Sequence, residues 1–197
     1  MHGLSDRYDL FIFDWDGTLE KVRYMYKLNE RLNPFWKNKK SSSLMNAATR
    51  NDRMLIERNL KRLEHIEETG ERRFKWILDM YMRFSKPGLQ YGAVGVLDAL
   101  KGKGRHIAVF SNGALWRVKK EAEELKIDRY FDSMVSAQSI GFLKPNPMGI
   151  HMIIKVCKAT RSRTLYIGDM IDDIKTARGA GVDSCGIAAG FDDRTAL

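Results

Sequence analysis

Two carboxylates one residue apart, Asp14 and Asp16, follow an apolar run from Tyr8 to Phe13 and precede Gly17 and Thr18. The run is typical of a buried strand, and Gly17 allows the chain to turn sharply after it. Residues i and i+2 share one face of a strand, so a loosened strand end can aim both carboxylates at one point. Two carboxylates at such a short distance repel each other unless a proton or a cation such as Mg²⁺ lies between them. The alternative is a simple turn, because Asp and Gly are common turn formers.

Three later groups of polar residues also follow apolar runs or lie in stiff loops. Ser111, Asn112 and Gly113 come directly after the run from His106 to Phe110. Lys144 stands between that group and the next, in the sequence Lys-Pro-Asn-Pro. The last group begins with Gly168 and Asp169 after the run Thr164–Ile167 and ends with Asp172 and Asp173. The carboxyl ends of parallel strands form the ligand crevice of doubly wound sheets, so these groups are predicted to meet there.

With these four groups in this order, spanning Phe11 to Asp173, the chain resembles the haloacid dehalogenase superfamily of phosphatases and phosphotransferases. Any one of the groups is weakly specific, whereas the ordered set is strongly so. The resemblance implies a phosphoglycolate phosphatase-like enzyme with a helical cap inserted after the first motif. It also implies that Asp14 is the nucleophile and that Asp16 is the general acid and then the general base.

The resemblance implies that the remaining motif residues bind the phosphoryl group and a Mg²⁺ cofactor. Ser111 would donate its hydroxyl group to a phosphoryl oxygen, and Lys144 would offset the phosphoryl charge. The backbone N–H groups of Asn112 and Gly113 lie at a predicted helix start, which is a natural anion site. The predicted phosphate-binding residues are therefore Asp14, Ser111, Asn112, Gly113 and Lys144.

The predicted metal ligands are Asp14, Asp16, Asp169 and Asp173, with Asp16 contributing its backbone carbonyl. The resemblance assigns the second acid of the fourth motif to a position four residues after the first, which is Asp173 here. Asp172 is an adjacent competitor, and one of the pair can instead cap a helix, since acids favour helix starts.

The composition is that of an ordinary globular protein, with 44% hydrophobic and 30% charged residues. The net charge is +9, and the stretch between Leu19 and Gly88 carries 17 Lys or Arg against 9 Asp or Glu. A basic segment can attract nucleic acid, a membrane surface or an anionic small molecule. The absence of long apolar runs and signal-like segments, together with two isolated cysteines, predicts a cytoplasmic protein without a membrane span.

The alternation of apolar strand-like runs with helical patterns predicts an α/β protein with a doubly wound parallel sheet, a Rossmann-like core. Strands are expected over about 8–14, 105–110, 133–136, 164–167 and 184–187, with helices over about 92–101, 115–125, 148–159 and 173–180. Residues 1–19 and 89–197 form the predicted catalytic core. Residues 20–88 show helical periodicity and form a predicted small all-helical cap.

The predicted function is therefore Mg²⁺-dependent hydrolysis of a small phosphorylated metabolite, with phosphoglycolate the favoured substrate and a monomer or homodimer expected. A sugar-phosphate mutase similar to β-phosphoglucomutase is an alternative on the same scaffold. A third alternative is a nucleotide- or nucleic-acid-directed phosphatase or binding module that uses the basic cap. The third is less favoured, because the basic stretch lacks a recognised nucleic-acid motif.

Overall fold

The fold is seen in a computed structural model that describes residues 3–21, 86–113 and 115–188. The chain divides into two compact units, Met1–Val22 with Pro87–Leu197, and Arg23–Lys86. The predicted cap over 20–88 lies almost wholly outside the described residues and stays a prediction.

Five parallel strands form one sheet in the order β3-β2-β1-β4-β5. The strands are β1 Leu10–Phe13, β2 His106–Ser111, β3 Ser133–Ser136, β4 Thr164–Gly168 and β5 Asp183–Gly186. The predicted parallel α/β sheet is thus confirmed, and the strand bounds differ from the predicted ones by one or two residues at most ends. Strand β1 lies at the centre, paired with β2 on one side and β4 on the other.

The described helices are short. In chain order the helices are α1 Leu4–Arg7, α2 Ala93–Gly102, α3 Leu115–Glu124, α4 Ala137–Ile140, α5 Met148–Val156 and α6 Ile171–Ala180. Helix α1 precedes β1, and the others lie between strands. Single 3-10 turns occur at Asp128–Tyr130 and Arg161–Arg163. Within the described ranges, no helix is both long and apolar enough to cross a membrane.

Both faces of the sheet are covered, and the side-chain alternation of β1 shows why. Phe11 and Phe13 pack into one core, which also receives α2 and α3, whereas Leu10 and Ile12 pack into a second core with α5 and α6. All four side chains of β1 are buried. A central parallel strand between two helical layers therefore appears in the sequence as a continuous apolar run.

Helices α1 and α4 were not predicted, because each has only four residues and too little length for a helical period to appear. Helix α6 begins at Ile171, two residues before the predicted start, and ends at Ala180, where Gly181 caps it with φ 71°. Asp172 and Asp173 therefore both lie in the first turn of α6, close to the carboxyl end of β4.

Candidate active site

The candidate site lies at the carboxyl ends of the three central strands. Asp14 directly follows β1 and donates its backbone N–H to the carbonyl of Ile167 on β4, at 2.8 Å. Ser111 is the last residue of β2, and Asp169 directly follows β4. Because β1 pairs with both neighbours, the residues at these three strand ends are brought to one edge of the sheet.

The Lys144 ammonium group joins two of the acids in the interior. Its Nζ donates to Asp14 Oδ1 at 2.7 Å and to Asp173 Oδ1 at 2.8 Å. All three side chains are at most 6% exposed. Removing such charges from water costs several kcal/mol per ion unless each is paired and hydrogen-bonded, so this cluster depends on all of its members.

The Asp173 carboxylate accepts four hydrogen bonds, which is about its full capacity. Its Oδ1 accepts from Lys144 and from the Tyr166 hydroxyl group at 3.0 Å. Its Oδ2 accepts from the backbone N–H groups of Asp169 and Met170, at 3.1 and 3.0 Å. Asp173 therefore orders the turn between β4 and α6 and at the same time orients Lys144.

The Asp169 side chain contacts two residues of the first motif, Gly17 and Thr18. Thr18 donates its hydroxyl group to Asp169 Oδ1 at 3.2 Å. Gly17 adopts φ 84°, and a β-carbon there would lie 2.2 Å from Asp169 Oδ2. Only glycine fits at position 17, because the backbone there has a positive φ and because a side chain would collide with Asp169.

Asp14, Asp169 and Asp173 can each offer one carboxylate oxygen such that the three oxygens lie within 4.8 Å of one another. With Lys144, the four groups carry two net negative charges when all are ionised, which one divalent cation would balance. Asp173 already accepts four hydrogen bonds, and the assignment of Asp14, Asp169 and Asp173 as metal ligands stays a prediction. The hard oxygen donors fit Mg²⁺, which takes few protein ligands and keeps several waters.

The burial of this cluster changes its protonation behaviour. Burial raises the pKa of Asp14 to about 7; the Lys144 ammonium opposes this rise and the Asp173 carboxylate adds to it. Burial alone would lower the pKa of Lys144, but the Asp14 and Asp173 carboxylates outweigh it and raise that pKa well above its ordinary value. Burial also raises the pKa of Tyr166 well above its usual range, so the Tyr166 hydroxyl group remains a donor.

Asp16 lies apart from this cluster, because its side chain is bound to an arginine on α3. Arg117 Nη1 donates to Asp16 Oδ1 at 2.9 Å, and Nη2 donates to Oδ2 at 2.7 Å. The expected convergence of the Asp14 and Asp16 side chains on one cation is thus not the arrangement seen. The role of the Asp16 backbone carbonyl as a metal ligand stays a prediction.

The second motif forms a tight turn that is tied to the lysine loop. Gly113 donates its backbone N–H to Ser111 Oγ at 2.9 Å, and Ser136 Oγ donates to the Gly113 carbonyl at 2.8 Å. Asn112 Oδ1 accepts from the backbone N–H of Lys144 at 2.9 Å. The Asn112 side chain therefore holds Lys144 beside β2, a function that the sequence does not reveal.

Asp172, the alternative to Asp173, has a different environment. Its Oδ1 lies 3.7 Å from Lys175 Nζ, and it is absent from the three-acid cluster. The geometry thus places Asp173, at the four-residue spacing, beside Asp14 and Asp169.

Arg117, Glu121, Trp15 and Tyr166 contribute to the site although sequence reasoning did not select them. The four-residue spacing of Arg117 and Glu121 is a signal for a helix-face pair. On a charged amphipathic helix such a pair usually lies in solvent, whereas here Glu121 is completely buried.

The fold is thus a parallel α/β sheet in which acids follow two adjacent strands, β1 and β4, and a buried lysine bonds Asp14 and Asp173. Residues 11–187 match the haloacid dehalogenase-like hydrolase family, and the chain belongs to that family.

A curated relative, phosphoglycolate phosphatase from Agrobacterium fabrum, is 32% identical over 102 residues. That match covers 52% of this chain and 44% of the relative, so the chain matches less than half of the relative's length.

Two solved structures share the fold. A protein assigned to the haloacid dehalogenase-like hydrolases, from Bacteroides fragilis, superposes with a TM-score of 0.68 at 23% identity, covering 95% of this chain and 91% of that one. A predicted phosphoglycolate phosphatase from Haemophilus somnus superposes with a TM-score of 0.65 at 24% identity, covering 95% and 88%.

Proposed function

We propose that this protein is a Mg²⁺-dependent phosphatase that hydrolyses a small phosphate monoester, with phosphoglycolate the favoured substrate. The observation that carries the proposal is the buried cluster in which Lys144 bonds Asp14 and Asp173 while Asp169 lies alongside. Its carboxylates and ammonium group match what phosphoryl transfer requires, a fixed nucleophile and compensation of the phosphoryl charge. The similarity to phosphoglycolate phosphatase from Agrobacterium fabrum supports this choice of substrate.

In the first step, an Asp14 oxygen attacks the phosphorus atom. Lys144 bonds Asp14 through Oδ1 and restrains that carboxylate, which leaves Oδ2 to act as the attacking atom. The new Asp14–phosphorus bond forms as the ester oxygen–phosphorus bond breaks. The departing oxygen takes a proton from Asp16 and leaves as an alcohol.

In the second step, water attacks the phosphorus atom of the aspartyl-phosphate. Asp16 takes a proton from that water, the bond to Asp14 breaks, and inorganic phosphate leaves. Asp14 returns as a carboxylate and Asp16 as an acid, so the cycle closes with one water consumed.

The other site residues stabilise the phosphoryl charge during both steps. The Ser111 hydroxyl group and the backbone of Asn112 and Gly113 would bind phosphoryl oxygens, and Lys144 would offset their charge. Asp14, Asp169, Asp173 and the backbone carbonyl of Asp16 would hold Mg²⁺, which would neutralise phosphoryl charge. Asp173 also keeps Lys144 and the β4–α6 turn in place.

Selection of the leaving group falls to the predicted cap over residues 20–88. The core residues can bind any phosphoryl group, so they cannot distinguish one ester from another. The basic excess of the cap favours an acidic leaving group such as glycolate. The contacts we favour, Arg72, Arg73 and Lys75, lie outside the described residues.

The test is a screen of phosphate esters with Mg²⁺, with released inorganic phosphate as the readout. We expect phosphoglycolate to give the highest kcat/KM, EDTA to stop turnover, and Ca²⁺ to replace Mg²⁺ poorly because of its looser coordination. An isomerised sugar phosphate without phosphate release would identify a mutase instead. Phosphate release that is equally fast without metal would refute the Mg²⁺ site.

A further inference from the structure

We propose that Arg117 is a positioning residue for the reaction: its two hydrogen bonds fix the orientation of the Asp16 side chain. This inference rests on the proposed function, in which Asp16 protonates the departing oxygen. It concerns a residue outside the four motifs, on helix α3.

Arg117 and Asp16 form a bidentate ion pair. Each of the two terminal guanidinium nitrogens donates to a different oxygen of Asp16, at 2.9 and 2.7 Å. The Arg117 side chain is 17% exposed and the Asp16 side chain 26% exposed. A planar guanidinium group that binds both carboxylate oxygens fixes the orientation of the carboxylate, which a single ammonium contact does not.

Arg117 is itself fixed by a buried acid. Its Nη1 donates to Glu121 Oε2 at 3.0 Å, and Glu121 is completely buried. Glu121 Oε2 also accepts from the Trp15 indole N–H at 2.7 Å. Trp15, likewise completely buried, stands between Asp14 and Asp16 in the chain.

These contacts form a closed ring that begins and ends on adjacent residues. It runs from Trp15 to Glu121, to Arg117, to Asp16, and back along the chain to Trp15. A buried ion pair is weak evidence for stability, since well-packed apolar residues often replace it at no cost. Stability alone therefore does not explain why this ring of contacts includes Asp16. The orientation that the ring imposes on the Asp16 side chain explains it better.

The guanidinium group also lies against the second motif. A β-carbon on Gly113 would lie 2.2 Å from Arg117 Nη2, so a side chain at position 113 would displace the arginine. Glycine at this position therefore leaves the guanidinium group in its place beside Asp16. Arg117 holds Asp16 beside the turn where the phosphoryl group is expected to bind.

Loss of Arg117 would free the Asp16 side chain and slow the step that needs its proton. An alkyl phosphate such as phosphoglycolate needs that proton, because an alkoxide leaves poorly. p-Nitrophenyl phosphate does not, because p-nitrophenolate leaves unaided. The kcat/KM value reports steps up to departure of the leaving group, so comparing the two esters isolates the contribution of Asp16.

The experiment measures kcat/KM for both esters in Arg117→Met and Arg117→Lys. We expect Arg117→Met to lower the value for phosphoglycolate at least tenfold, and the value for p-nitrophenyl phosphate less than threefold. The phosphoglycolate loss should appear in kcat rather than KM, since Arg117 acts through Asp16. Arg117→Lys should recover part of the loss, because it restores one contact with Asp16.

Two further variants separate positioning from folding. The double variant Arg117→Met/Glu121→Gln removes the cation without leaving a buried charge unpaired. It should show the same selective loss of kcat/KM for phosphoglycolate. Arg163→Met removes an arginine that pairs with Asp9 at the opposite end of the strands, and it should leave both esters unaffected.

Equal losses on the two esters in both Arg117→Met backgrounds, or no loss on either ester, would overturn the positioning role. A wild-type protein that hydrolyses neither ester would instead overturn the proposed function, and this inference would fall with it.

Discussion

Gly17 and Asp169 approach so closely that a β-carbon on Gly17 would lie 2.2 Å from the Asp169 Oδ2 atom. The contact joins the turn after β1 to the end of β4, and Thr18 adds a hydrogen bond to the same carboxylate. A residue without a side chain thus determines where one of the predicted metal-binding acids can lie.

Gly17→Ala is therefore expected to displace Asp169 and to weaken Mg²⁺ binding at least tenfold, as measured by titration of the metal. Gly92→Ala is the matched control, because Gly92 has a similar φ of 80° and no atom of the described residues lies within 4 Å of its β-carbon position. Both variants should lose about 1–2 kcal/mol of stability from left-handed backbone strain. Only Gly17→Ala should lose metal affinity, and equal affinities in the two variants would contradict the contact.

Asp14→Asn should abolish turnover while leaving the protein folded. Asparagine keeps the volume of the side chain but cannot form the aspartyl-phosphate. Lys144 retains Asp173 as a partner in this variant, so the buried ammonium group remains paired. Phosphate release and thermal unfolding should be measured together, and activity above a few per cent of wild type would exclude Asp14 as the nucleophile.

Mg²⁺ binding should release protons to an extent that depends on pH. Burial raises the pKa of Asp14 to about 7, so below this value the carboxyl group holds a proton that the cation must displace. Protons released per ion should therefore fall as the pH rises through about 7. Calorimetry in buffers of different ionisation enthalpy measures this number. Asp14→Asn should abolish the pH dependence, and an unchanged dependence would assign the proton to another group.

Tyr166→Phe should reduce stability by about 0.5–1.5 kcal/mol, which is typical for the loss of one hydrogen bond. It should also lower kcat several-fold, because the Tyr166 hydroxyl group helps to hold Asp173, which orients Lys144. Tyr8→Phe breaks a similar tyrosine–aspartate bond, to Asp183, at the opposite end of the strands. Denaturant unfolding should show losses in both variants. A kcat loss in Tyr8→Phe as large as that in Tyr166→Phe would rule out a specific effect on the site.

The sequence by itself determined the parallel α/β core and the residues at its strand ends. The apolar runs of β1, β2 and β4 are local signals, and the buried central strands of a parallel sheet carry them without interruption. Asp14, Ser111 and Asp169 then follow from their positions, because strand ends that pair in register bring those residues together. Lys144 could be selected only by its place in the ordered set of motifs.

Only the tertiary structure decided where Asp16 points. The same-face rule that predicts a shared direction for Asp14 and Asp16 holds within a strand, but β1 ends at Phe13. Beyond that point the chain turns at Gly17, and the direction of Asp16 depends on Arg117, about a hundred residues away. Likewise, Glu121 appears in the sequence as a solvent-facing helix acid, and its burial against Trp15 follows from the packing of α3 on the sheet. Local periodicity determines elements and their ends, whereas side-chain partners distant in sequence are chosen by packing.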